Sequence, residues 1–201
     1  MSEPEPAGGR VDRRVTVVVL AGGTSRRFGT DKLAAPLGTS TVLDRLLAAL
    51  PPRWPVVLAG PARATARPDA AWVREDPSGG GPLAGIAAAM TKVGTEVVVV
   101  VAGDMPFAAP ALATLVDALD ASAGDVAGAV ASVDGRANAL LAAYRADALR
   151  QVLPASLQGL PARVLLTVPH VEVVVPPELA DDVDTPGDLE TARAHLGRHS
   201  G

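Results

Sequence analysis

The stretch from Leu20 to Lys32, LAGGTSRRFGTDK, sets Arg26, Arg27 and Lys32 around the paired glycines Gly22 and Gly23, with a single carboxylate, Asp31. It follows an apolar run, VTVVVLA, at 15–21. Glycines directly after a strand let backbone N–H groups approach a ligand without a Cβ in the way. Successive exposed N–H groups with nearby cations make an anion site, and a triphosphate fits the size and the charge. Two familiar phosphate loops do not match. Gly22 and Gly23 are adjacent and Gly29 lies too far on for G-x-G-x-x-G, while Thr30 stands where a P-loop requires lysine. The alternative is a basic surface turn with solvated arginines.

Two other segments have the same character. GDMP places Asp104 just past the apolar run EVVVVVA at 96–102, with Pro106 barring its extension. A carboxylate there suits Mg²⁺, which is bound through one or two carboxylates plus substrate phosphates. It could equally cap the helix expected near Ala108 or occupy a simple turn. EDPSGGGPLAG leads from Asp76 to a helix expected to begin near Pro82, since proline suits a first helical turn. Its glycines could wrap a base or form an ordinary flexible connection.

The elements that must position these loops show in the hydrophobic pattern. Continuous apolar runs at 15–21, 55–59, 96–102 and 125–131 read as strands buried on both faces, with two further strands at 138–145 and 171–176. Between them Val42, Leu46, Leu47 and Leu50 share a helical face. So do Leu83, Ile86, Ala87 and Met90, and again Leu112, Leu115, Val116 and Leu119. The closing helix is expected at 185–196, with Thr185 as N-cap and Pro186 at its first position. This alternation predicts a single α/β domain with an open, doubly wound, mostly parallel sheet and helices on both faces, spanning 15–197. Residues 1–14 read as a disordered lead-in and 198–201 as a tail. Ligands of such sheets bind beyond the carboxyl ends of the strands, which is where all three loops fall.

Composition narrows the chemistry. There is no cysteine, so no disulfide, thiolate metal site or thiol nucleophile is available. The histidines, His170, His195 and His199, all come late in the chain. A net charge of -4 argues against a nucleic-acid binder. No run approaches the about 20 apolar residues of a membrane span. The N-terminus lacks a signal peptide's apolar region, so a cytoplasmic location is expected.

Taken together and in order, LAGGTSRRFGTDK, GPLAGI, GDMPF and DVDTPGDL resemble the molybdenum cofactor guanylyltransferases, which implies a Rossmann-like nucleotidyltransferase fold. The resemblance implies transfer of GMP from GTP to molybdopterin-bound molybdenum cofactor, with Mg²⁺ as cofactor and pyrophosphate as leaving group. Cofactor-delivery proteins and molybdoenzymes are the protein partners it implies. By position, Leu20, Ala21, Gly22 and Gly23 match the backbone segment at the nucleotide. Lys32 matches the GTP-binding lysine and Asp76 an acidic nucleotide contact. Gly81, Pro82 and Leu83 fall in the GPLAG nucleotide motif, and Asp104 matches the Mg²⁺ ligand. Arg26 and Arg27 are expected to hold phosphates of GTP or the pterin, which makes Arg27 catalytic alongside Lys32 and Asp104. Asp182 and Asp184 fall on the acceptor side. The sequence departs from the pattern at Phe28, where methionine is commoner. Ala59-Gly60 lies near a nucleotide-contacting asparagine of some members. GRANALLAAYR lacks their histidine–proline pairing, and Asp182 and Asp184 replace asparagines. LAGG and GPLAG favour guanine over cytosine by resemblance, whereas physical reasoning leaves the base open. A related transferase with another base or a phospholactate-type acceptor, and a nucleotide-binding regulator without turnover, are the other readings.

Overall fold

A computed structural model describes residues 14–23, 27–76, 78–153 and 159–199. In chain order the elements are β1 (Val15–Leu20), a 3-10 turn (Lys32–Ala34), β2 (Pro36–Leu37), β3 (Ser40–Thr41), α1 (Val42–Ala49), β4 (Val56–Ala59), β5 (Ala71–Val73), α2 (Pro82–Met90) and β6 (Val97–Ala102). They continue with α3 (Ala109–Ala121), β7 (Gly128–Val133), β8 (Arg136–Arg145), α4 (Ala146–Val152), a 3-10 turn (Ala162–Thr167), β9 (His170–Val174), α5 (Pro177–Ala180) and α6 (Pro186–His199).

Seven strands form one sheet in the order β5-β4-β1-β6-β8-β7-β9, and β2 pairs with β3 in a separate ribbon. Every pairing in the sheet is parallel except those of β8, which is antiparallel to both neighbours. The valine runs explain the centre. Val17, Val19, Val97, Val99 and Val101 face one way into a core shared with α1 and α3. Val18, Val98 and Val100 face the other way, against Leu83 and Ile86 of α2 and Leu149 of α4. The expected doubly covered sheet is therefore present, with the chain reversing direction of progression at β1. Crevices at such a reversal are where open α/β sheets bind ligands.

Several elements differ from the sequence reading. The loop after β1 is not free of regular structure: it contains the 3-10 turn and the β2–β3 ribbon. Ribbon and α6 share a small core of Ala35, Leu37, Val42, Val183, Leu189 and Ala192, with Phe28 and Phe107 packed against it. That cluster draws the start of α6 over the basic loop. The strand expected at 125–131 begins at Gly128. It turns into β8 through Asp134 and Gly135, with φ of 51° and 72°, the two positive values that a tight hairpin of the I′ type demands. β8 bulges against β7: Val130 pairs with Ala142 but Ala131 with Asn138, leaving 139–141 without β7 partners. Tyr144 donates to the Ala139 carbonyl (3.2 Å) and the Asn138 side chain accepts from Leu140 N–H (3.0 Å), so the bulge is braced from both sides. Among the described residues no helix is long and apolar enough to cross a membrane.

Candidate active site

Three strand ends converge on the first loop. The Leu20 carbonyl accepts from Gly103 N–H just after β6 (2.9 Å), and Ala21 N–H donates to the Ala59 carbonyl of β4 (2.8 Å). Neither approach tolerates a side chain. A Cβ on Gly60 would lie 2.5 Å from the Ala21 oxygen, and one on Gly103 2.9 Å from the Leu20 oxygen. Gly22 and Gly23 emerge exposed from this knot, Gly23 with a φ of +130°. They line a cleft of about 350 Å³ with Gly29, Thr30, Asp31, Lys32, Pro61 and Arg63.

Lys32 is placed by Asp31, whose Oδ1 accepts from Leu33 N–H and caps the 3-10 turn (3.1 Å). The Lys32 ammonium then sits 2.5 Å from Asp104 Oδ2 and 2.5 Å from Asp184 Oδ1. Its side chain is 15% exposed and that of Asp104 16%. Burial pulls the lysine pKa down, but hydrogen bonds to Asp104 and Asp184 outweigh it and hold the ammonium above its usual range.

Asp104 does not cap a helix. The α3 N-cap is Ala108, which supplies no side-chain bond. Instead the Asp104 carbonyl accepts from Val183 N–H (2.9 Å), which lays 182–184 against it. Thr185 and Asp188 form a reciprocal cap on α6, with Thr185 N–H donating to Asp188 Oδ2 (2.7 Å) and Asp188 N–H to Thr185 Oγ1 (3.2 Å). Asp184 N–H donates to the same Asp188 oxygen (3.0 Å), which fixes its position over Lys32. Carboxylate oxygens of Asp104, Asp182 and Asp184 all lie within 4.8 Å of one another. Partial desolvation, then the charges of Asp104 and Asp184, push the Asp182 carboxyl above the usual range. Asp104 Oδ1 is buried and, among the described residues, accepts no hydrogen bond.

The structure thus gathers Lys32, Asp104, Asp182 and Asp184 beside Gly22 and Gly23. Arg27 stands further out, 80% exposed and 3.6 Å from Asp184 Oδ2. Arg26 lies outside the described residues. Asp76 is exposed on the loop after β5, at the far end of the β5-β4-β1-β6 series from Asp104. Gly81 is the N-cap of α2 with a φ of +87°, and Pro82 opens the helix. The Leu83 side chain is fully buried in the core, so only its backbone can face a ligand.

Sequence reasoning missed two residues. Asp31 stood in the quoted loop, and its place directly before Lys32 is a capping signal. Arg63, on the loop after β4, carries no local signal, because its partner Asp31 is 32 positions away. A second cavity of about 610 Å³ opens beside the bulge, with Arg136, Asn138, Arg163 and Asp181 in its wall.

Residues 17–173 match the model of the MobA-like NTP transferase domain. The chain belongs to the MobA-like NTP transferase family. One relative of this MobA-like chain is a probable molybdenum cofactor guanylyltransferase of Chloroflexus aggregans. It is 31% identical over 196 residues, covering 90% of this chain and 94% of that protein. A crystal structure of molybdopterin-guanine dinucleotide biosynthesis protein A from Archaeoglobus fulgidus superposes with a TM-score of 0.71 at 25% identity, covering 91% of this chain and 99% of that one. The MobA-like fold extends further. The 2-C-methyl-D-erythritol 4-phosphate cytidylyltransferase of Thermus thermophilus gives a TM-score of 0.66 at 20% identity, covering 90% and 98%. That likeness is one of fold alone, so the architecture by itself selects neither base nor acceptor.

Proposed function

We propose that the protein is a molybdenum cofactor guanylyltransferase, moving GMP from GTP to the terminal phosphate of molybdopterin-bound molybdenum cofactor. The observation that carries this reading is the Lys32 ammonium, held by Asp104 and Asp184 at the edge of the glycine cleft. The names of its relatives supply the base and the acceptor.

In this reading an oxygen of the acceptor phosphate attacks the α-phosphorus of GTP, the bond to the β-phosphate oxygen breaks, and pyrophosphate leaves. No protein nucleophile is required, so the side chains act by position and charge. Exposed N–H groups of Gly22 and Gly23 meet phosphate oxygens, and Lys32 offsets the charge that grows on them. The Gly81–Leu83 backbone and Asp76 lie toward the base. Asp182, Asp184 and Arg27 are assigned to the acceptor, and the cavity walled by Arg136, Arg163 and Asp181 to its pterin.

Mg²⁺ belongs to the proposal. Its preference for oxygen ligands fits the Asp104, Asp182 and Asp184 carboxylates, and Asp104 Oδ1 is a buried acceptor without a donor among the described residues. Bound there, the ion would supply charge compensation for the triphosphate. Delivery proteins and molybdoenzymes are the partners that would bring the acceptor and take the product.

The test is pyrophosphate release in Mg²⁺ with each nucleoside triphosphate and molybdopterin-loaded carrier. Release that requires both GTP and the pterin is expected. Release with CTP alone overturns the base, and release without pterin overturns the acceptor.

A further inference from the structure

Arg63 lies in a short strap that is pinned at both ends. At one end Gly60 abuts the Ala21–Gly22 backbone so closely that a Cβ would lie 2.8 Å from Gly22 N. At the other, Ala66 N–H donates to Asp44 Oδ1 (2.7 Å), and Asp44 is itself held at the start of α1 by Thr41. The strap therefore presents Arg63 to the cleft from the side opposite Asp104. Arg63 lines that cleft together with Gly22, Gly23 and Lys32. One guanidinium nitrogen, Nη1, donates to Asp31 Oδ2, and the side chain remains 26% exposed. Asp31 uses its other oxygen for the turn that carries Lys32.

We propose that Arg63 is a polyphosphate-binding residue of this cleft, kept in place by Asp31 and transferred to the nucleotide when it binds. The proposal rests on the reading that the cleft takes a nucleoside triphosphate. A guanidinium has five donors in a planar fork that matches phosphate oxygens, and the Asp31 contact engages one of its nitrogens. The triphosphate carries more negative charge than one half-exposed carboxylate. It therefore competes for the fork and leaves Asp31 with its capping role. Arg63 so recognises the phosphates and not the base, and it complements Lys32 from the opposite wall.

Equilibrium binding of GTP and of guanosine in Mg²⁺, by calorimetry, tests this. Arg63→Gln is expected to weaken GTP binding about tenfold or more, the value of a charge-assisted hydrogen bond, and to leave guanosine unchanged. Asp31→Asn keeps an equally good N-cap but removes the competing charge, so GTP should bind several-fold more tightly. In the double variant that gain should vanish, because it acts through Arg63. If Asp31→Asn weakens GTP as much as Arg63→Gln does, the pair merely braces the Lys32 turn and the proposal falls. It falls also if the Asn gain survives in the double variant, or if Arg63→Gln weakens guanosine equally. Wild type that binds no triphosphate sinks both this proposal and the functional reading. Wild type that binds CTP in place of GTP sinks only the base, and the same cycle run with CTP and cytidine still decides Arg63. Binding of GTP without transfer to the pterin sinks only the acceptor.

Discussion

Lys32 is subject to opposing pulls, and their balance predicts its pH behaviour. Its pKa is raised above 10.5, so the stability from its ion pairs is complete below that value and is lost only as pH climbs through the folded pKa. A pH–rate profile should accordingly show no basic limb from Lys32 below about pH 10. Lys32→Ala should cut transfer by about 100-fold or more. The variant also leaves Asp104, Asp182 and Asp184 repelling one another. Its stability deficit should stay under the about 3–5 kcal/mol of a fully buried pair broken on one side. Urea unfolding of the variant beside wild type at pH 7 measures the deficit. Asp182 follows the same rule from the other chemical side, because here the neutral form is the favoured one. Its folded pKa is raised, so stability present below the unfolded value is lost as pH rises through the folded one. Asp182→Asn should therefore raise the melting temperature at pH 7, with the gain fading as pH falls through the raised folded pKa and gone below the ordinary value of 3.8. Asp104→Asn should shift the Mg²⁺ titration of transfer to higher concentration and lower turnover; a titration identical to wild type would remove Asp104 as a metal ligand. Lys32, Asp104 and Asp184 could be picked out of the sequence because each sits in a recognisable segment. That Lys32 bonds Asp184 across 152 positions could not, since long-range contacts, the small core under α6 and the Val183–Asp104 backbone bond, bring them together.

At the scale of elements, the close contact between the β4 exit and the glycine loop gives a sharp expectation. Gly60→Ala would force a Cβ to within 2.5 Å of the Ala21 oxygen, which only backbone movement can relieve. Overpacking of this kind costs about 1–3 kcal/mol, and the displaced Gly22 should lose nucleotide affinity in the same variant. A Gly60→Ala protein with wild-type melting and GTP affinity would show that the loop is not held from β4. β1 and β6 were legible because valine runs buried on both faces leave little alternative. β5 was not, since three residues give no periodicity to read. Nor was the β2–β3 ribbon, whose two-residue strands form around a Gly38 turn. The β7–β8 hairpin did carry its signal, Asp134-Gly135, but the following bulge breaks the alternation that would have confirmed β8.

For the whole molecule, seven of the nine described strands belong to one sheet, so heating should give a single cooperative transition. A ligand held by loops from β1, β4 and β6 stabilises that sheet as a unit. GTP with Mg²⁺ at 100 times its dissociation constant should add about 2.7 kcal/mol and move the whole transition upward. A shift of equal size with ATP would contradict a site selective for guanine. The antiparallel strand has a longer-range consequence. β8 keeps its register with β6 through Leu141 while 139–141 balloon away from β7. Residues can thus be gained or lost on that flank without moving Val97–Val101, so descendants of this chain can reshape the cavity beside the bulge while inheriting the strand that carries Asp104 unchanged.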